Sequence, residues 1–369
     1  MSDEPLTPPA RSAGGNGSEV VPDYPGVHEE SAPPPPLSRR LRDPRTIVSI
    51  VLPIFIIVLV LTALPGFHLD QLPSLIANAN PWLLLPAFVI YYLGFPLRGY
   101  RWMLLLRGAG TEVSVRDSTE IIFISWLVNC LVPAKLGDVY RAYLLKLNKG
   151  TSISKTFGTI FIERVFDLFA IVLLGLAAGF WSFRAGMSPE VQIVFAIGLL
   201  VVIVLAVGLF LVRNFGGRIV RRLPLPARVV EFYDRFEEGL FSINARRVPL
   251  LAFLTVLIWS TEALRLYFVV LAMGFNLPLG LSGGLFVALI ASLLTAIPFT
   301  PAGLGAVEGA VVFILTTLYG ATTTQAVAIT LVDRAISVVS IIILGGITYI
   351  LSDKTKAPRQ AAAIETRAS

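Results

Sequence analysis

The chain has 369 residues, 55% of them hydrophobic and only 15% charged, with a mean hydropathy of +0.76. A soluble protein of this size carries roughly 25% charged residues, so the composition excludes an ordinary soluble enzyme. The apolar runs are continuous and approach the roughly 20 residues that a spanning helix needs, not the alternating pattern of a membrane barrel.

The lone cysteine, Cys130, excludes an internal disulfide, and with only two histidines, His28 and His68, transition-metal chemistry is not expected. The net charge of +6 sits beside apolar segments. It is assigned to cytoplasmic loops facing anionic lipid rather than to nucleic-acid binding.

Residues 1–38 are rich in Pro, Gly, Ser and acids and are expected to form a disordered cytoplasmic tail. The first apolar run starts near Thr46, too late for a cleaved leader. A first helix over about 46–65 is entered through Arg39, Arg40, Arg42 and Arg45, which places the N-terminus inside. A second, about 81–106, exits inward through Arg98, Arg101 and Arg107.

Residues 118–133 are apolar but short, and the polar stretch from Gly137 to Arg141 leads back to Lys146 and Lys149 on the same side. That pattern predicts a re-entrant hairpin, tolerated only where protein or a water cavity satisfies its backbone. Helices follow at 157–182 and 190–212. The segment 213–247 is arginine-rich, with Val229, Phe232, Phe236 and Leu240 at helical spacing. It reads either as an amphipathic helix on the cytoplasmic leaflet or as an ordinary connector.

Helix 248–273 comes next, then two apolar pieces, about 281–299 and 304–320, and a last helix, about 324–351, before a short tail, 353–369, carrying Lys354, Lys356 and Arg359. Both termini are therefore expected in the cytoplasm and the chain in the plasma membrane. The pair 281–320 could be a second re-entrant hairpin or two full crossings.

One unit recurs. Pro133-Ala134-Lys135-Leu136-Gly137 and Pro301-Ala302-Gly303-Leu304-Gly305 share a pattern, each preceded by an arginine in an apolar stretch (Arg98, Arg265) and followed by an acid-arginine pair (Glu163-Arg164, Asp333-Arg334). Loop charges give the copies, about 81–182 and 248–351, opposite orientations. The fold expected is an all-α polytopic membrane protein of about 7–9 segments. It holds two inverted repeats, each with a re-entrant or broken-helix hairpin, an arrangement common in secondary transporters.

Ionisable residues at mid-bilayer are costly unless they face a cavity or a partner. The candidates for binding are Arg98, Asn129, Lys135, Asp138, Arg141, Glu163, Arg164, Asp167, Glu262, Arg265, Glu308, Asp333 and Arg334. Pro133, Gly137, Pro301, Gly303 and Gly305 are candidate hinges. Arg164 with Asp167, and Glu262 with Arg265, are three apart and can pair. Glu163 and Asp167, four apart, would repel unless one is protonated or an arginine from another helix intervenes. Either these charges lock helices together, or they line a polar cavity whose arginines hold phosphate bidentately.

The stretches Arg98-Gly99-Tyr100-Arg101-Trp102, Asn129 to Arg141, Glu163 to Asp167 and Pro298 to Gly309 resemble the signatures of the lysylphosphatidylglycerol synthase transmembrane domain family. This family is also called flippase-like, or uncharacterised protein family 0104. The resemblance covers roughly 45–352. Ala302 departs from it, standing where a glycine is expected.

The resemblance implies a domain that binds a polar lipid and moves it between leaflets. The chain ends at Ser369, about eighteen residues after the last helix, so the aminoacyltransferase domain of the bifunctional members is expected to be absent. The chain is then a transporter rather than an enzyme, with no cofactor. No Walker-type phosphate loop occurs. Expected partners are a phospholipid or glycolipid headgroup, with a second copy of the chain or a separate lipid-synthesising enzyme as protein partners. A membrane enzyme for glycosyl or phosphoryl transfer, or a structural accessory protein, are the alternatives.

Overall fold

The structure is a computed structural model that describes residues 67–132, 134–294 and 300–356. The expected tail 1–38, the first helix 46–65, Pro133 and the end of the C-terminal tail lie outside the described residues, as does the stretch 295–299. The described residues form helices without strands. Among the described residues, five helices are long and apolar enough to cross a membrane: 81–108, 191–222, 245–273, 301–319 and 323–351.

A short helix α1 (Leu72–Ala77) precedes α2 (Pro81–Gly108), whose start is fixed by Pro81 and by the Asn80 side chain accepting from Trp82 N–H. The next two helices, α3 (Val115–Leu131) and α4 (Leu136–Lys149), are joined by a sharp tip. A 30-residue helix α5 (Ile153–Ser182) follows, then α6 (Pro189–Leu211). A π-turn, Val212–Gly216, continues α6 into α7 (Gly217–Arg222). After α8 (Ala227–Leu240) come α9 (Val248–Met273), α10 (Gly280–Leu294), α11 (Ala306–Tyr319) and α12 (Thr323–Arg334). A second π-turn, Ala335–Val339, leads into α13 (Ser340–Leu351).

The boundaries follow the apolar periodicity closely. At α2 the helix spans the expected 81–106 and two residues more, and Arg101, assigned with Arg107 to the inward exit, is buried like Arg98, leaving Arg107 exposed in the last turn.

Helices α2 and α9 cross at the centre of the bundle. Around them, α5 packs on α10, and α13 packs on α3. The ends of the elements sort to two sides. On one, Gly108 meets Ser242, Lys354 pairs with Asp117 at 2.6 Å, and Asn148 donates to the Lys354 carbonyl at 3.2 Å. Both open ends of the α3–α4 hairpin are thus held by the C-terminal end of α13. On the other side, Asn80 N–H donates to the Ala272 carbonyl at 2.8 Å, and Ser182 meets Tyr319 at 3.1 Å. There Tyr319, at the end of α11, lies against Gly283 near the start of α10. The two hairpins open at opposite ends of the bundle and their tips meet near its middle.

Outward faces are apolar. Ile203, Val204, Val207 and Phe210 of α6 are all at least half exposed, which suits hydrocarbon rather than water. Helix α8 divides between the two expectations. Phe236 and Leu240 pack on α5, helped by the Phe161–Phe236 ring contact, while Val229 and Phe232 stay exposed.

Candidate functional site

Between the α2–α9 crossing and the two tips lies a cavity of about 170 Å³. Arg98, Asn129, Lys135, Glu163, Arg164, Asp167, Glu262, Arg265, Asp333 and Arg334 line it, together with the aromatic rings of Tyr91, Trp126 and Trp259. Asp138, Arg141 and Glu308 are not among its lining residues. Each instead pairs with a residue that is: Asp138 with Arg164, Arg141 with Glu163 and Glu308 with Arg334.

The charges form three closed networks. In the first, Arg141 Nη1 and Nη2 donate to the two oxygens of Glu163 at 3.1 and 2.8 Å, with its guanidinium 3.7 Å over the Trp102 ring. Arg101 lies 3.4 Å from Glu163. It also donates from Nη1 to Asp167 Oδ1 at 2.7 Å and to Thr255 at 2.8 Å. Trp259 Nε1 donates to the same Asp167 oxygen at 3.0 Å. Arg164 reaches Asp167 Oδ2 at 3.4 Å and grips Asp138 through Nε and Nη2 at 3.3 and 2.9 Å.

In the second network Arg98 Nη2 donates to Glu262 at 2.7 Å and lies 4.7 Å over the Trp126 ring. Arg265 bridges Glu262 at 3.4 Å and Asp333 at 2.7 Å. In the third, Arg334 Nε donates to Glu308 Oε1 at 2.5 Å and Nη2 to the Ala302 carbonyl at 2.8 Å. The other Glu308 oxygen accepts the Gly305 N–H at 2.7 Å.

The i,i+3 pairs expected within α5 and α9 are present. The repulsion between Glu163 and Asp167 is relieved by an arginine from another helix, Arg101. Sequence reasoning gave Arg101 to the cytoplasmic flank, yet it is 1% exposed. Its spacing of three from Arg98 puts both on one face of α2, and that was the available signal. The partnership of Arg98 with Glu262, 164 residues away, carried no local signal.

The arginines expected to await phosphate, Arg98, Arg164, Arg265 and Arg334, all hold carboxylates. Lys135 is the lining cation for which the described residues supply no carboxylate partner.

The tips explain the repeated string. Gly137 N–H donates to the Asn129 side chain at 2.8 Å, and a Cβ there would come within 2.1 Å of the Ser125 carbonyl. Close approach, not mobility, selects that glycine. Gly303 and Gly305 instead have φ of 71° and 93°, a region in which L side chains are strained. Ala134, Lys135 and Ala302 adopt the same left-handed region without being glycines, at φ 62°, 51° and 51°. Among the hinge candidates, Pro301 is buried in the second tip.

The model of the family "Lysylphosphatidylglycerol synthase TM region" matches residues 47–345. The chain belongs to this family. A UPF0104 membrane protein of Methanocaldococcus jannaschii is 39% identical over 229 residues, covering 62% of this chain and 94% of that protein. A UPF0104 membrane protein of Methanothermobacter thermautotrophicus is 26% identical over 339 residues, covering 84% of this chain and 94% of that protein. The protein named glycosyltransferase AglD of Haloferax volcanii is 31% identical over 344 residues, covering 83% of this chain but 54% of its own length.

For a lysylphosphatidylglycerol synthase TM-region protein, the glycine expected at position 302 now has a physical reason. The backbone there is left-handed (φ 51°, ψ 17°), and Arg334 holds its carbonyl.

Proposed function

We propose that this chain moves a polar phospholipid or glycolipid between the leaflets of the plasma membrane, with both termini in the cytoplasm. The observation that carries the proposal is the charged, aromatic-walled cavity between two hairpin tips that enter from opposite ends of an otherwise apolar bundle. A headgroup could be exchanged between tips without crossing hydrocarbon.

The packing supports an inverted repeat of α2–α5 and α9–α13. The pair α2–α9 is self-reciprocal, and α5 on α10 mirrors α13 on α3. Asp138–Arg164 and Glu308–Arg334 each join a hairpin to the following helix across 26 residues. In transporters built from inverted repeats the site lies near mid-membrane. Arg164 and Arg334 would act as the clamps that hold each hairpin shut.

A second reading, chemistry on a lipid-linked substrate, draws on the relative named a glycosyltransferase. This chain matches about half of that protein. Each lining carboxylate among the described residues is held by an arginine, which leaves none free as a general base.

The test is reconstitution of the full chain in vesicles carrying fluorescent phospholipids, with chemical quenching of the outer leaflet. Movement well above that of empty vesicles, reduced by Arg164→Gln, supports the proposal. Movement equal to empty vesicles for anionic, zwitterionic and aminoacylated headgroups alike would sink it.

A further inference from the structure

The three networks are each balanced. Arg101, Arg141 and Arg164 face Glu163, Asp167 and Asp138. Arg98 and Arg265 face Glu262 and Asp333, and Arg334 faces Glu308. Neighbouring Pro133 and the stretch 295–299 contain no ionisable side chain. With every pair ionised, the described residues of the cavity keep one uncompensated charge, the ammonium of Lys135.

The placement of that ammonium is unusual. Lys135 lines the cavity from the tip between α3 and α4, on a left-handed backbone (φ 51°, ψ 36°) that directly follows left-handed Ala134. Two successive non-glycine residues in this region are each strained, because Cβ crowds the following carbonyl. Such strain persists where the surroundings enforce it, commonly at ligand sites. Trp126 and Trp259, which also line the cavity, are already engaged with Arg98 and Asp167.

Resting on the lipid-moving reading above, we infer that the cavity selects a headgroup of one net negative charge, a phosphodiester without an amine, and that Lys135 is the residue that contacts its phosphate. A zwitterionic headgroup would leave its amine facing arginines that have no spare carboxylate. A phosphomonoester would bring a second charge with no cation to meet it. The narrowing excludes aminoacylated headgroups, which the family resemblance alone would admit.

The experiment is calorimetric titration of the full chain in detergent with dihexanoyl phosphatidylglycerol and dihexanoyl phosphatidylethanolamine, for wild type, Lys135→Gln and Lys135→Arg. Wild type should bind the glycerol lipid about tenfold more tightly, the scale of one charged hydrogen bond. Lys135→Gln should bring the two lipids within about twofold, and Lys135→Arg should keep the preference. An unchanged melting temperature shows that Lys135→Gln is folded, as expected for a side chain with no ion pair among the described residues.

Equal affinities in wild type, or an intact preference in Lys135→Gln, overturn the inference. Full displacement of the lipid by equimolar dimethyl phosphate would instead assign the site to a soluble phosphodiester and overturn the lipid assignment. Selective binding without movement in vesicles would refute the transport reading and leave the charge assignment standing.

Discussion

Glu163 is held by two buried arginines, and Glu163→Gln is the sharpest test of the first network. Its two oxygens take both Nη groups of Arg141 at 3.1 and 2.8 Å, with Arg101 at 3.4 Å. Glu163 is 3% exposed, and both arginines 1%. Replacing the carboxylate by an amide removes the charge that neutralises Arg141 and turns one accepting atom into a donor facing a guanidinium. Removing one partner of a buried pair costs about 3–5 kcal/mol, because the other charge stays buried.

On the scale of larger domains that corresponds to a fall of about 6–10 °C in melting temperature, measured by thermal unfolding of the purified protein in detergent. Lys155→Ala, which breaks a surface pair with Glu238 that is far more exposed (22% and 60%), should cost under about 1 kcal/mol. The double variant Glu163→Gln/Arg141→Met should recover much of the loss, since the stranded charge is gone. If Glu163→Gln costs no more than Lys155→Ala, or if the double variant is additive, the network is not the buried lock described here.

The tips make four further predictions. Ala302→Gly should raise stability by about 1 kcal/mol, because glycine removes the left-handed penalty, read as a higher melting temperature. Gly305→Ala, at φ 93°, should lower it by a similar amount on the same measurement. Gly137→Ala should cost about 1–3 kcal/mol through collision with the Ser125 carbonyl, whereas Gly309→Ala, with nothing within 4 Å, should be tolerated. Arg334→Gln should release the Ala302 carbonyl and the Gly305 turn, seen as faster amide exchange confined to residues 300–306, together with slower lipid movement in vesicles.

Much of the architecture was legible in the sequence because it depends on local properties. The helix α9 could be bounded residue by residue since its largely apolar run, broken by Glu262 and Arg265, lies between Arg247 and Gly274. The broken helices announced themselves through Pro-Ala-x-Leu-Gly, and the pairs Arg164–Asp167 and Glu262–Arg265 through helical spacing. Less visible was Arg101 in α2, which with Arg107 behind it looked like part of an exit to water.

Sequence alone therefore determined that this is a helical membrane protein, that the string Pro-Ala-x-Leu-Gly recurs, and which charged residues lie inside apolar stretches. Only the tertiary structure decided their partners. It joined Arg98 to Glu262 and Arg101 to Asp167, paired Asp138 with Arg164 and Glu308 with Arg334, and gave Lys135, which lines the cavity, no ion pair among the described residues. The reason is physical: hydrophobic periodicity acts within one helix, whereas neutralising a buried charge needs a neighbour whose position is fixed only when helices distant in sequence pack together.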